Sequence, residues 1–384
     1  MEQWIQSLRR RIQILQDRSL LRQLRHDSVH LDFSSNDYLA LNQNGIVAEM
    51  LRDLVQSDDT IRSIGSTGSR LIRGHYEIFE RVEAEFAAFT GTEAATLFHS
   101  GYAANTGVIP TVVDRRDIIF CDRLCHASLL DGIRLSGARR YYFEHNNLND
   151  LEAKLKRHGG SQRNWIITES IFSMDGDSPD LRSMTRLAAA HNALIVLDDA
   201  HAVGIRGPQG AGLAAEQKVV DRIAVPVFPC GKAPGLMGAF VCGPPELKTV
   251  LINQARPFVF TTAQPPILAA LLLKIIHFLR TALAEDLRRQ LKSRSERLRS
   301  ALKQNGFDTG QSDSHIIPVI VGAESKALGY AQYLLEQGYD VRAIRPPTVP
   351  TGTSRLRICV HADHTDEQID QLTEHIVCAR KQIG

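Results

Sequence analysis

The sequence predicts an α/β protein, with a large domain on a mostly parallel sheet and a smaller α+β domain at its C-terminal end. Two observations carry this. From about residue 90 to 245, short apolar runs alternate with helix-like segments, the pattern of repeated strand–helix units. After Pro265-Pro266, a long helical stretch leads into a short strand–helix–strand–strand tail. At 384 residues the chain can bury a large core and divide into more than one domain.

Taken in order, residues 1–25 place Trp4, Ile5, Leu8, Ile12 and Leu15 at helical spacing among basic residues, which predicts an amphipathic helix. The expected strands of the large domain are Ala95–Phe98, Asp117–Cys121, Arg140–Phe143, Trp165–Thr168, Ala193–Leu197, Ile223–Phe228 and Gly238–Cys242. Helical patterns at Leu151–Lys156 and Leu181–His191 lie between them. The helical stretch after Pro266 runs to about Gln304. The tail holds a strand at Ile316–Val321, a helix at 325–337 and strands at 340–344 and 355–360. The expected division is an N-terminal helix and arm at 1–45, a large domain at 46–275 and a small domain at 276–384.

Composition narrows the function classes. Forty-five basic residues against forty-three acidic leave a net charge of +2, with no basic stripe to attract nucleic acid or an anionic membrane. Small molecules and a second copy of the chain are the expected partners. The six cysteines (Cys121, Cys125, Cys230, Cys242, Cys359 and Cys378) form no C-x-x-C pair, so neither a zinc site nor a disulfide framework is expected. The charged N-terminus lacks the apolar core of a signal peptide, and the apolar stretch Ile267–Leu279 is interrupted by Lys274 and His277. A reducing, cytoplasmic setting is the expectation.

Ligands of open α/β sheets bind at strand ends, and three of the predicted strands end in polar clusters. One is Asp198-Asp199-Ala200-His201, and the strand before it ends in Glu169-Ser170-Ile171-Phe172-Ser173-Met174-Asp175-Gly176. A lone aspartate there could merely cap a helix, but a histidine three residues on and a second polar cluster favour a site. The third cluster is Cys230-Gly231-Lys232-Ala233-Pro234-Gly235. Pyridoxal phosphate (PLP) needs a lysine for its Schiff base and an acid at its pyridine nitrogen, and Lys232 and Asp198 divide those tasks. Ser100-Gly101-Tyr102-Ala103-Ala104-Asn105 follows a strand and opens a helix, so its N–H groups can face a phosphate. Gly65-Ser66-Thr67-Gly68-Ser69-Arg70 lacks the G-K-[ST] of a nucleotide loop.

Together with Ser35-Asn36-Asp37-Tyr38-Leu39, the 65–74 stretch, His126-Ala127-Ser128, the 172–177 segment and Phe260-Thr261-Thr262, these motifs stand in the order of the α-oxoamine synthases. That family is a branch of the aspartate-aminotransferase-like (fold type I) PLP-dependent transferases, and the chain resembles it along nearly its whole length. The segment 344–350 and Gly352-Thr353-Ser354-Arg355-Leu356-Arg357 resemble the members that condense L-alanine with a pimeloyl thioester, on coenzyme A or a carrier protein.

The resemblance implies roles. Lys232 anchors PLP and serves as acid and base; Asp198 pairs with the pyridine nitrogen; His201 and Ser173 contact the phenolic oxygen; His126 stacks on the ring. Gly101 and Tyr102 hold the phosphate or ring edge, and Thr261 reaches the cofactor of a second subunit, which implies a homodimer with shared sites. Arg357 binds the amino-acid carboxylate, while Arg22 and Thr348 match substrate-contacting positions. The chain departs from the family at Pro229, where a threonine usually binds the phosphate; proline offers neither hydroxyl nor N–H. Two alternatives stay open: a sister synthase of the glycine C-acetyltransferase or 5-aminolevulinate synthase type, and a non-catalytic partner subunit that keeps the fold.

Overall fold

A computed structural model describes the chain except for residues 18–19, 22–23, 25–29, 58–63 and 161. Its centre is a seven-stranded sheet made of β2 (Ala94–Phe98), β3 (Ile118–Asp122), β4 (Arg139–Phe143), β5 (Asn164–Glu169), β6 (Ala193–Asp198), β7 (Val225–Pro229) and β8 (Ala239–Gly243), in the order β2-β8-β7-β6-β5-β3-β4. Six strands run in one direction, so the sheet is mostly parallel as predicted, and β8 lies antiparallel between β2 and β7. Central strands buried on both faces must be apolar at nearly every position, which is why β3 and β6 read IIFCD and ALIVLD. Alternate residues then serve two cores. Phe120, Ile166, Ile195 and Leu197 pack on one side, and Ile119, Ile167 and Val196 on the other.

The second sheet is antiparallel. Strand β9 (Ile316–Gly322) and β11 (Arg342–Ile344) flank β12 (Ser354–Cys359). The strand expected at 340–344 is two short strands. Strand β10 (Tyr339–Asp340) pairs in parallel with β1 (Leu31–Asp32), and the chain re-aims at Val341 before β11. Phe33, just after β1, accepts a hydrogen bond from Cys359 N at 2.8 Å, so the N-terminal arm is stitched to this sheet.

Two helices also differ from expectation. The N-terminal helix spans Glu2–Asp17 and buries none of its residues; the remainder of the 1–25 segment lies partly outside the described residues. The stretch 266–304 is two helices, Pro266–Leu279 and Ala282–Gln304, bent by 75°. Thr281 makes the break by capping the second helix, its hydroxyl accepting from Ala284 N at 3.3 Å. Among the described residues, no single helix is long and apolar enough to cross a membrane, and all six cysteines are free.

One ionic cluster ties three strand ends together. His145, after β4, lies 3.0 Å from Asp122 at the end of β3 and 2.9 Å from Asp177 in the loop after β5. Burial alone disfavours a charged imidazole here, but the hydrogen bonds to the two carboxylates outweigh it and raise the pKa to about 10. A raised folded-state pKa adds stability that is complete below the unfolded value near 6.5 and is lost as pH climbs towards 10. His145→Gln should therefore destabilise the protein by about 2 kcal/mol at pH 6, the scale of hydrogen bonds to charged groups. The gap should close as pH approaches 10, as read from urea unfolding at both pH values; an equal gap at both would show that the imidazole is neutral.

Candidate active site

The parallel strands all deliver their C-terminal ends to one side of the sheet, and a cavity of 440 Å³ opens there. Its wall combines Glu169 from β5, Asp198 from β6 and Pro229 from β7 with Lys232 and Gly238 from the loop that follows. His126 and Ser173 come from neighbouring loops, Ser100, Gly101, Tyr102 and Asn105 from the start of the helix Gly101–Val112, and Arg357 from β12. The cavity thus brings together eight predicted residues: Gly101, Tyr102, His126, Ser173, Asp198, His201, Lys232 and Arg357.

The remaining three stand apart. Thr348 is exposed in a turn away from this cavity. Thr261 is half-buried and also outside the lining, although its neighbour Thr262 accepts from His99 Nε2 at 2.6 Å beside the helix start. Arg22 lies outside the described residues.

Hydrogen bonds set the geometry. Asp198 Oδ2 accepts from Asn105 Nδ2 at 2.6 Å, and Asp198 Oδ1 from Ala200 N at 3.0 Å. Asn105 also donates to Ser128 Oγ at 2.9 Å, and Ser128 lies 2.8 Å from His126 Nδ1, so the base of the cavity and its histidine wall are linked. His201 Nδ1 is 2.7 Å from the Tyr38 hydroxyl, which donates to Asn36 Oδ1 at 2.8 Å. Sequence reasoning assigned no role to Tyr38, Asn36, Asn105 or Ser128. They sit in the quoted motifs, but their partners are distant in sequence.

Burial governs the charges. It pushes the Lys232 ammonium below its ordinary pKa against the opposing pull of Asp198 and Glu169, and so favours the neutral, nucleophilic amine. It holds His201 well below the usual histidine range and lowers His126. Glu169 is pushed well above the carboxylate range by burial and then by neighbouring Asp198. The two carboxylates end adjacent paired strands, so one acid there is kept protonated.

Arg357 is buried, and no carboxylate pairs with it among the described residues. Nε donates to Ser173 O at 2.6 Å, Nη1 to Cys359 Sγ at 2.9 Å and Nη2 to Asn36 Oδ1 at 3.0 Å. Every acceptor is neutral, which leaves a whole positive charge facing the cavity.

A class I and II aminotransferase family model matches residues 28–376. A putative 8-amino-7-oxononanoate synthase of Geobacillus kaustophilus is 41% identical over 92% of this chain and 90% of its own length. The 8-amino-7-oxononanoate synthase of Geobacter sulfurreducens is 39% identical over 91% and 88%. The chain belongs to the class I and II aminotransferases, in the 8-amino-7-oxononanoate synthase branch.

Solved structures agree on the fold of this PLP-dependent transferase. A serine palmitoyltransferase from S. paucimobilis with bound PLP–myriocin aldimine superposes with a TM-score of 0.89 at 29% identity, covering 98% of both chains. An 8-amino-7-oxononanoate synthase from Francisella tularensis gives 0.79 at 27%, covering 93% of this chain and 99% of that one.

The cavity fits PLP. Asp198 is held as an acceptor at its base, the half-buried Lys232 lines the same space, and the helix beginning at Gly101 leaves its first N–H groups without intrahelical acceptors. Gly101 is required there because a Cβ would come within 2.6 Å of Pro229 Cγ. Pro229 therefore forms the floor under the helix start. It ends β7, so the N–H it lacks costs the ladder little, and Cys230 N resumes bonding to Gly238 O at 2.8 Å.

A phosphate held at the helix start would find no hydroxyl at this floor. Pro229→Thr should tighten PLP retention by about tenfold or more, the worth of one charge-assisted hydrogen bond. Equilibrium dialysis of the two proteins measures it, and equal retention would show that another group replaces the hydroxyl.

Proposed function

We propose that this enzyme condenses L-alanine with a pimeloyl thioester, on coenzyme A or an acyl carrier protein, to give 8-amino-7-oxononanoate, CO₂ and the free thiol for biotin synthesis in the cytoplasm. The observation that carries it is the pairing, in one cavity, of a half-buried lysine amine with a buried guanidinium that has no carboxylate partner among the described residues. An amino acid brings the missing carboxylate, and its α-carbon then lies within the cavity that Lys232 lines.

Lys232 is the residue that would anchor PLP. Asp198 would hold the pyridine nitrogen, His201 with Ser173 the phenolic oxygen, His126 the ring face, and Gly101 and Tyr102 the phosphate. Bound PLP supplies the electron sink that stabilises negative charge at the amino-acid α-carbon. With PLP bound, the Lys232 amine would take the proton from that carbon, a role favoured because burial lowers its pKa. Arg357 fixes the carboxylate through its free charge, a task suited to a planar fork of donors. The new carbon–carbon bond forms between the alanine α-carbon and the thioester carbonyl as the thiol leaves. Loss of the carboxylate as CO₂ and return of a proton to the same carbon complete the balance.

PLP-loaded enzyme offered alanine, glycine or serine with short, pimeloyl and long-chain thioesters should turn over alanine with the pimeloyl donor. Turnover with glycine or serine alone would place it with a sister synthase. Arg357→Ala should raise the alanine KM at least tenfold while the visible absorption of the lysine-bound cofactor is retained. An unchanged KM would remove the arginine from the carboxylate site.

The functional unit is read as a homodimer. Phe260 and Ile72 are 71% and 84% exposed, an exposure that suits apolar side chains awaiting a second surface, and Thr261 follows Phe260. Mixing inactive Lys232→Ala chains with Thr261→Ala/Thr262→Ala chains at limiting PLP should restore activity through hybrid sites. Verified heterodimers without recovery would show that Thr261 serves no neighbouring cofactor.

A further inference from the structure

One buried hydroxyl lies between two groups of the catalytic cavity. Asn36, His201 and Arg357 line that cavity, and the fully buried Tyr38 reaches all of them from behind. Its hydroxyl is 2.8 Å from Asn36 Oδ1, 2.7 Å from His201 Nδ1 and 3.4 Å from Arg357 Nη2. The residue is gripped from the small sheet. Its carbonyl accepts from Ala362 N at 2.8 Å, and its ring lies 3.9 Å from that of His315, just before β9.

The hydrogens of this cluster can be assigned from its donors and acceptors. A guanidinium only donates, and Arg357 Nη2 meets the Asn36 amide at 3.0 Å, so the amide atom there is the oxygen. Turned over, the amide would set a donor against a donor. That same oxygen faces the Tyr38 hydroxyl, which must donate to it. Burial raises the phenol's pKa, so it keeps that hydrogen and has no other to give. Towards His201 the phenolic oxygen can therefore only accept, and Nδ1 must carry the hydrogen. Burial also holds His201 well below the usual histidine range, so the ring is neutral and has one N–H. Its Nε2 is left with a lone pair.

We propose that Tyr38 is a positioning residue that locks His201 as its Nδ1–H tautomer, so that Nε2 meets the ligand of the catalytic cavity as a hydrogen-bond acceptor. Tyr38 is fully buried and acts through His201, which lines the cavity. Under the proposed function, on which this step rests, the donor that Nε2 meets is the phenolic hydroxyl of PLP. A lone pair accepts from a hydroxyl and repels a phenolate, so His201 favours that oxygen in its protonated form. The chain from Arg357 through Asn36 and Tyr38 to His201 thereby ties the proposed carboxylate site to the group beside the cofactor.

Nitrogen NMR of the full chain carrying isotope-labelled histidine reads the tautomer, with His201→Gln identifying the signal. Before PLP is added, the native chain should show His201 protonated at Nδ1 and bare at Nε2. Tyr38→Phe should move the hydrogen to Nε2, the form that free imidazole side chains prefer. After loading with PLP, the same variant should raise the ratio of long- to short-wavelength visible absorbance, phenolate against phenol, roughly fivefold, the worth of one hydrogen bond. A native chain with Nε2–H overturns the proposal, and that measurement decides the matter if Tyr38→Phe does not fold. An unchanged tautomer in the folded variant overturns it too, and a switched tautomer with an unchanged absorbance ratio overturns the phenolic step. A chain that takes up no PLP sinks the cofactor reading and that step with it, whereas the tautomer is read without PLP.

Discussion

The hydrogen bond from Asn105 to Asp198 holds the site together. It joins the helix that begins at the proposed phosphate cradle to the strand that carries the proposed cofactor acid, and it is fully buried. The same amide reaches Ser128 and through it His126, so three elements converge on one side chain. Inside a sheet flanked by two apolar cores, a carboxylate keeps its place only if its acceptors are engaged. Here Asn105 and the Ala200 N–H do so and leave the cavity face for a ligand.

The second constraint is electrostatic. Lys232, Asp198, Glu169, His201, His126 and Arg357 all lie in or beside one low-dielectric space. Desolvation eases the conflict by disfavouring the charged forms of Lys232, His201 and Glu169. Lysine and histidine shift down, Glu169 shifts up, and Arg357, which cannot lose its proton, keeps a positive charge with no carboxylate partner among the described residues. A site so arranged favours a neutral nucleophile and an anionic substrate together, which amino-acid chemistry on PLP requires.

Arg357 also shows why the small sheet matters. Its strand pairs with β9 and β11 and is stitched through Cys359 to the arm at Phe33, while the side chain crosses to Ser173 on the large sheet. Neighbouring Arg355 makes a parallel link to Asp175 at 2.6 Å. These two arginines therefore fix how the small sheet faces the catalytic strand ends, and the proposed carboxylate site depends on that placement.

Most strands of the large sheet were legible because burial demands apolar runs, with the exposed edge strand β4 (RRYYF) the exception, and all seven expected strands lay within two residues of their observed ends. The polar clusters at their ends were legible for the same reason, since Asp198 and Lys232 stand out against apolar sequence. Local sequence could not show the antiparallel seating of β8, the 75° break at Thr281 or the division of 339–344 between two sheets, because pairing partners lie far away in the chain. Nor could it show that Tyr38, Asn36, Asn105 and Ser128 anchor the catalytic groups. By itself the sequence determined the alternation of elements, the chemistry available at the strand ends and the proline where a hydroxyl is usual. The tertiary structure decided which charges are buried together and which remain unpaired, because desolvation and hydrogen bonding depend on neighbours that only folding brings within reach.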